Sequence, residues 1–355
     1  MVRLLAAWLL LLASTGYAAD DPFAGVEAST ATRNKTAASW TGENFGFRKE
    51  LMSEFATSEH APAYSRQSVG FELLKKFSSE TKTLGSFNFQ GRLVRRDRFV
   101  PVLNDMEGMH REGWFFEYHN FYADVYNDPV NFRIGRFYVP FGLNLQTDTH
   151  GTLLQLSNEQ NFGFERDWYS GLWGTLTEDL NYDAYYLVGS GYDLKYRGQS
   201  GLGVARISLA NKHSFEHGLE GGLSVMGGER LAPGPVETRR AGLDGRYRQP
   251  VPTGLLTWTS ELSAGRDVPD NVLMQLYQSE YLHSSRRWGA AAQYRRLWKQ
   301  HTGADGSLIG EVSWYFRNDV GNSNLHWVKL NVERQLERAG MAKDVIVALQ
   351  YYRYW

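Results

Sequence analysis

Residues 343–355 read Lys-Asp-Val-Ile-Val-Ala-Leu-Gln-Tyr-Tyr-Arg-Tyr-Trp, and this stretch decides the fold. One set of alternating positions is Val345, Val347, Leu349, Tyr351, Arg353 and Trp355. The other is Asp344, Ile346, Ala348, Gln350, Tyr352 and Tyr354. A period of two with unlike sets implies a strand standing between two environments. Terminal residues usually fray, so a soluble protein rarely ends on its most hydrophobic strand. A closed barrel has to use its last strand, which seals the cylinder against the first.

Working outward, the same alternation recurs upstream. Gly85, Phe87, Phe89, Gly91 and Leu93 oppose Ser86, Asn88, Gln90 and Arg92; Leu308, Gly310, Val312, Trp314 and Phe316 oppose Glu311, Ser313, Tyr315 and Arg317. In 324–336, Val328, Leu330 and Val332 oppose Lys329, Asn331 and Glu333. The apolar sets are assigned to lipid and the polar sets to a lumen. Trp288 and Trp298 share one face ten positions apart. At ~3.3 Å per residue and a tilt of ~45°, they stand roughly 23 Å apart, the distance between two interfacial aromatic girdles.

About sixteen candidate strands follow, near 43–51, 64–78, 81–95, 112–127, 130–138, 165–177, 180–190, 201–210, 216–229, 238–249, 254–266, 271–283, 286–299, 307–318, 324–336 and 343–355. Short joints at 79–81, 127–129, 178–179, 250–252 and 283–285 alternate with longer ones at 96–111, 139–164, 191–200 and 230–237. The expected fold is all-β: a transmembrane, antiparallel, up-and-down β-barrel of about 16 strands (14–18). Barrels of that size leave an aqueous channel, which argues for transport.

Composition agrees. Aromatic residues make up 14%, Gly numbers 36 and Pro only 10, which suits twisted strands. No Cys is present, excluding disulfides, thiolate metal sites and covalent haem attachment in this chain. With 38 basic and 39 acidic residues the balance gives no sign of a nucleic-acid partner. Residues 1–18 read as a signal peptide, with Arg3 as the positive n-region, Leu4 to Ala13 as the apolar core and cleavage after 18 or 19. Residues 19–42 read as a flexible periplasmic arm, and 43–355 as the barrel.

The C-terminal strand resembles that of bacterial outer-membrane barrels, which ends in an aromatic; Arg353 stands where that family usually has an apolar residue. A second resemblance lies in Asn131 to Gly174. The run Gly135-Arg136-Phe137-Tyr138-Val139-Pro140-Phe141-Gly142, then a loop, then Glu165-Arg166 and a Gly-containing strand, is similar to the phosphate-selective porin O/P family. The resemblance implies an outer-membrane porin whose loop 139–164 folds inward as a constriction. It also implies insertion by the barrel-assembly machinery. General porins are commonly trimers, so a homotrimer embedded in outer-membrane lipid is the expected assembly.

That family's anion site resembles an Arg ladder with a Lys cluster near the constriction. Loop 139–164 contains no Lys or Arg; its charges are Asp148 and Glu159, with His150. The wall offers Arg92, Arg133, Arg206, Arg246, Arg248, Arg295, Arg317 and Lys329 as lumen-facing cations. It also offers Glu72, Asp124, Asp183, Asp244, Glu261, Glu311 and Glu333. Mixed rings set up a transverse field rather than a strong choice of sign. The expectation is a passive channel for small polar or anionic solutes, with modest anion preference at most. Inward Tyr185, Tyr315, Tyr352 and Tyr354 look scattered among strands, too few for a sugar track.

Other chemistry is less well supported. No Gly-x-Ser-x-Gly or His-Glu-x-x-His occurs, so an enzyme is not expected. His213 and His217 fall in a turn without helical periodicity, and no metal or cofactor is expected. The alternative to a porin is a barrel sheath around a multihaem cytochrome, an electron conduit. It requires a wide lumen with loop 139–164 lying outside.

Overall fold

The computed structural model describes residues 44–60, 63–97, 112–143, 166–192, 194, 201–210, 218–231, 234–319, 324–340 and 342–355. The expected leader, the arm and most of loop 139–164, with Asp148, His150 and Glu159, lie outside the described residues. Sixteen strands are described. They are β1 (Phe45–Ser58), β2 (Tyr64–Ser78), β3 (Thr83–Arg96), β4 (Gly113–Val125), β5 (Asn131–Tyr138), β6 (Arg166–Thr175), β7 (Leu180–Leu187) and β8 (Leu202–Ala210). The second half comprises β9 (Gly218–Arg230), β10 (Val236–Val251), β11 (Gly254–Asp267), β12 (Asp270–His283), β13 (Trp288–Lys299), β14 (Gly303–Asp319), β15 (Asn324–Glu337) and β16 (Val345–Tyr354).

Each strand pairs antiparallel with its neighbours in sequence, and β1 pairs with β16 to close the barrel. The seam runs in register from Glu50↔Tyr354 to Ser58↔Ile346. Trp355 completes it: its N–H donates to the Lys49 carbonyl at 3.1 Å and its carbonyl accepts the Lys49 N–H at 2.8 Å. β1 extends to Ser58, seven residues beyond its expected end. Long connections at 97–112, 139–165 and 188–201 share one end, called outer below. The tight joints at 79–82, 126–130, 176–179, 252–253 and 284–287 lie at the inner end.

Alternation sorts the wall as expected for a strand between lipid and lumen. Val69, Leu223, Val312 and Leu349 are exposed on the outside, whereas Asn88, Gln90, Glu311 and Gln350 are buried inside. Trp288 lies on this lipid-side face, opposite Trp314, and Trp298 shares its phase on β13. A belt this apolar needs a hydrocarbon solvent, and a closed ring leaves no unpaired edge in it.

One stretch of wall is irregular. β4 pairs with β5 only over Phe121–Val125, leaving its outer half without that partner. The start of the 188–201 connection covers it. The Tyr192 hydroxyl donates to the Phe116 carbonyl (3.1 Å) and accepts from the Tyr118 N–H (3.3 Å), with the two tyrosine rings stacked 4.5 Å apart. Asp167 holds this connection by accepting the N–H groups of Gly189, Ser190 and Gly191.

Candidate functional site

The inward face is a set of buried, paired charges. On β1–β4, Arg92 lies between Glu50 (3.1 Å) and Glu117 (2.6 Å), and Arg66 also reaches Glu117 (3.5 Å). Glu50 further accepts from Gln90 and from the Tyr352 hydroxyl of β16, while Glu72 accepts from Asn88 and the Tyr354 hydroxyl. Around the ring, Arg133 grips Asp124 with two bonds of 2.6 and 2.9 Å, and Arg206 meets Asp244 at 2.6 Å. Arg246 and Arg248 share Glu220 at 3.4 and 2.5 Å, and Arg230 and Arg240 share Asp267. Arg295 meets Glu333 at 2.7 Å and Lys329 meets Glu311 at 3.1 Å. Charges set in a low-dielectric wall need such partners, since an uncompensated buried charge costs several kcal/mol.

Seven of the eight expected cations therefore face the interior, but each is within bonding range of a carboxylate. The basic wall expected from the sequence is neutralised, and no free Arg ladder is formed by those seven. Arg317 departs from the expectation altogether. A bulge between Tyr315 and Arg317 puts it opposite His326 in the outward phase, where it is exposed. Three inward carboxylates meet neutral donors instead: Glu54 accepts from Gln350, Asp183 from Tyr185 and Glu280 from Gln278.

The inward aromatics are less scattered than the sequence implies. Trp327, whose role the sequence did not reveal, gathers Tyr352 (4.5 Å, stacked) and Tyr315 (6.1 Å). Lys329 stands 5.0 Å over its ring and Gln350 accepts its indole N–H. Across the barrel, Tyr122, Phe137, Tyr169 and Tyr185 form a second cluster. Arg133 lies 4.6 Å over Tyr122, 4.7 Å over Phe137 and 5.3 Å over Trp173.

Residues 139–143 turn into the barrel as they leave β5. Val139 and Phe141 are fully buried. The Gly142 N–H donates to Ser224 of β9 (2.9 Å), and the Leu143 N–H to Glu261 of β11 (3.4 Å). Leu143 packs against Met274 and Leu276 of β12 and Leu297 of β13. Phe141 fits because β10 carries glycine opposite it: a Cβ on Gly242 would lie 3.2 Å from the Phe141 ring. The segment thus spans from β5 to the far wall. Gly142 takes φ +65°, which favours glycine, and a Cβ there would stand 2.1 Å from a Glu261 oxygen, so the carboxylate would have to move aside. The Gly-Arg-Phe-x-x-Pro-Phe-Gly run is accounted for by this entry. Gly135 sits against Tyr122, Arg136 donates to the Tyr118 and His119 carbonyls at the β4 bulge, and Phe141-Gly142 dock inside.

Among the described residues, Glu59, His60 and Asp344 bring metal-type donor atoms within 4.8 Å of one another at the outer end of the seam. Asp344 is already engaged by the N–H groups of Glu59 (2.9 Å) and Val345 (2.8 Å), and nothing else marks an ion there.

No family model matches this sequence, and no curated protein matches it. Solved structures do. OprB of Pseudomonas putida superposes with a TM-score of 0.63 at 10% identity, covering 88% of this chain and 94% of that one. The fold is that of the outer-membrane porins. An anion-selective porin from Comamonas acidovorans gives 0.58 at 7% identity over 88% and 99% of the two chains. OmpT of Vibrio cholerae, solved in a trimer form, gives 0.52 at 9% identity over 88% and 99%. At these identities the porin likeness concerns architecture, and the solute must be argued from the lumen.

Proposed function

We propose that this protein is an outer-membrane porin: a passive diffusion channel for small polar solutes, narrowed by loop 139–164 and only weakly selective among ions. The observation that carries this is the course of residues 139–143, which run inside a closed 16-strand ring to the β9–β13 wall. A loop that begins there narrows the tube from within. The same course counts against a sheath for a bulky cytochrome, which needs that space.

Weak selectivity follows from the pairing. A cation held 2.6 to 3.1 Å from a carboxylate presents a dipole to the lumen rather than a net charge. An anion preference, phosphate included, would need unpaired cations from the rest of the loop, whose charges are Asp148, Glu159 and His150. Dipoles across the lumen suit hydroxylated or zwitterionic solutes. A homotrimer in outer-membrane lipid, assembled by the barrel-assembly machinery, is the proposed working form.

The test is a planar bilayer carrying the refolded mature chain under a salt gradient. Ohmic steps with a reversal potential close to zero support the proposal. A reversal near the anion limit restores a phosphate-type site. Absence of conductance from a chain that shows heat-modifiable gel mobility sinks the open channel.

A further inference from the structure

We propose that the outer end of the β13–β16 wall, on its lipid side, binds the headgroup of a lipid carrying two phosphates. Four cations from one contiguous patch carry this. Arg296 of β13 faces outward in a row with Gly306 of β14 and Glu337 of β15. Arg334 of β15 faces outward in the next row, with Leu308 of β14 and Val345 of β16. Arg338 and Lys343 stand in the connection just beyond. Glu337 is the one acid of these rows, and it orients Arg296 through bonds of 2.6 and 3.2 Å. Arg334 and Lys343 are exposed, and Arg338 donates to the Ala342 carbonyl. The patch is net positive by several charges.

The spacing suggests two phosphates rather than one. Arg296 and Arg334 are two strands and two residues apart, which is about 12 Å between Cα atoms. Arg296 is placed for one phosphate, and Arg334 with Arg338 and Lys343 for the other. Beneath them the wall is apolar and uneven. Leu308, Val332 and Val347 project outward, while Gly310 has open space where a side chain would stand. Acyl chains fit such grooves, and guanidinium groups match phosphate oxygens by fork geometry. A second outward pair, Arg239 and Arg266, faces across β10–β11 at the same end. There Glu237 and Glu229 also oppose one another, and Glu237 binds Arg239 at 2.7 Å. That patch is near neutral and serves as an internal control.

The folded full chain in detergent is titrated with bisphosphorylated lipid A, monophosphorylated lipid A and phosphatidylglycerol, and bound lipid is counted by native mass spectrometry. Inorganic phosphate is added as competitor. The expected result is preference for the bisphosphorylated form, resistance to free phosphate, and a roughly 30-fold loss of affinity in Arg296→Gln/Arg334→Gln. Arg239→Gln/Arg266→Gln stays close to the unaltered protein. Should the first pair not fold, Arg338→Gln/Lys343→Gln, outside the strands, gives the same reading with the same expected direction. Equal retention by the β13–β16 variants, equal loss in the β10–β11 variant, equal binding of phosphatidylglycerol, or displacement by phosphate would each overturn the proposal. None of these readouts depends on conductance, so the channel can fail and the lipid site stand.

Discussion

The entry of residues 139–143 into the barrel can be loosened in measured steps. Burial of Phe141 and Leu143, with the hydrogen bonds from Gly142 and Leu143, holds this segment with about 6 kcal/mol. Gly142→Ala forces a side chain into φ +65° and drives a Cβ to 2.1 Å from Glu261. Strain of ~1–2 kcal/mol and one lost hydrogen bond take away about 3 kcal/mol. That raises the released population about a hundredfold, yet leaves it under about 1% by the same arithmetic. Single-channel records should then show brief excursions to higher conductance on an unchanged main level. Adding Phe141→Ala removes a further ~3 kcal/mol and brings the two states near balance. The double variant should show a raised main conductance and frequent switching. If the double variant is folded by heat-modifiable mobility and keeps the parent conductance and noise, the tether argument is wrong.

Replacing Arg133 with Met should destabilise the barrel by about 3–5 kcal/mol, because Asp124 is left buried without its two-bond partner; urea unfolding followed by tryptophan fluorescence checks this. Lys329→Gln leaves Glu311 uncompensated in the lumen and should shift the reversal potential toward cations, whereas Arg317→Gln, on the outer face, should leave it unmoved. Burial works to raise the Asp344 carboxyl, but hydrogen bonds from Ser58, the Glu59 N–H, His60 and the Val345 N–H outweigh it and hold it below the usual range. A group lowered by folding stabilises above its unfolded value, near 3.9, and loses that contribution as pH falls through the folded one. Amide protection factors at Glu59 and Val345, taken as intrinsic over observed exchange rate at each pH, should therefore fall below about pH 4 and stay flat between pH 5 and 8.

The wall was legible because two solvents enforce the alternation. Phe87, Phe89 and Leu93 meet lipid while Asn88, Gln90 and Arg92 do not, and any one-residue slip would exchange them. β1 was read short because its outward set includes Lys49 and Ser53, which blur the apolar period; Ser53 is satisfied by Gln67 on the next strand. Arg317 was misplaced because a bulge inserts one residue without any mark in the composition. The charge pairs were invisible for a different reason. Arg133 and Asp124 are neighbours through a turn, but Arg92 and Glu50 are 42 residues apart and meet only through the pairing of β1, β2 and β3. Trp327 and Tyr352 gather by the same route across β15 and β16. The run from Gly135 to Gly142 was legible as a motif, and its described contacts dock residues 139–143 against the β9–β13 wall.

The seam between β1 and β16 has a consequence for biogenesis. Its partners, such as Glu54 and Gln350, are separated by 296 residues, so the first strand synthesised must wait for the last. Until then the growing sheet has two open margins, each able to join a foreign chain. Removing β16 would not yield a slightly weaker cylinder but a curled ribbon with β1 and β15 bare. Assembly is thus all-or-nothing at its final step, and both margins need shielding until β16 docks on β1.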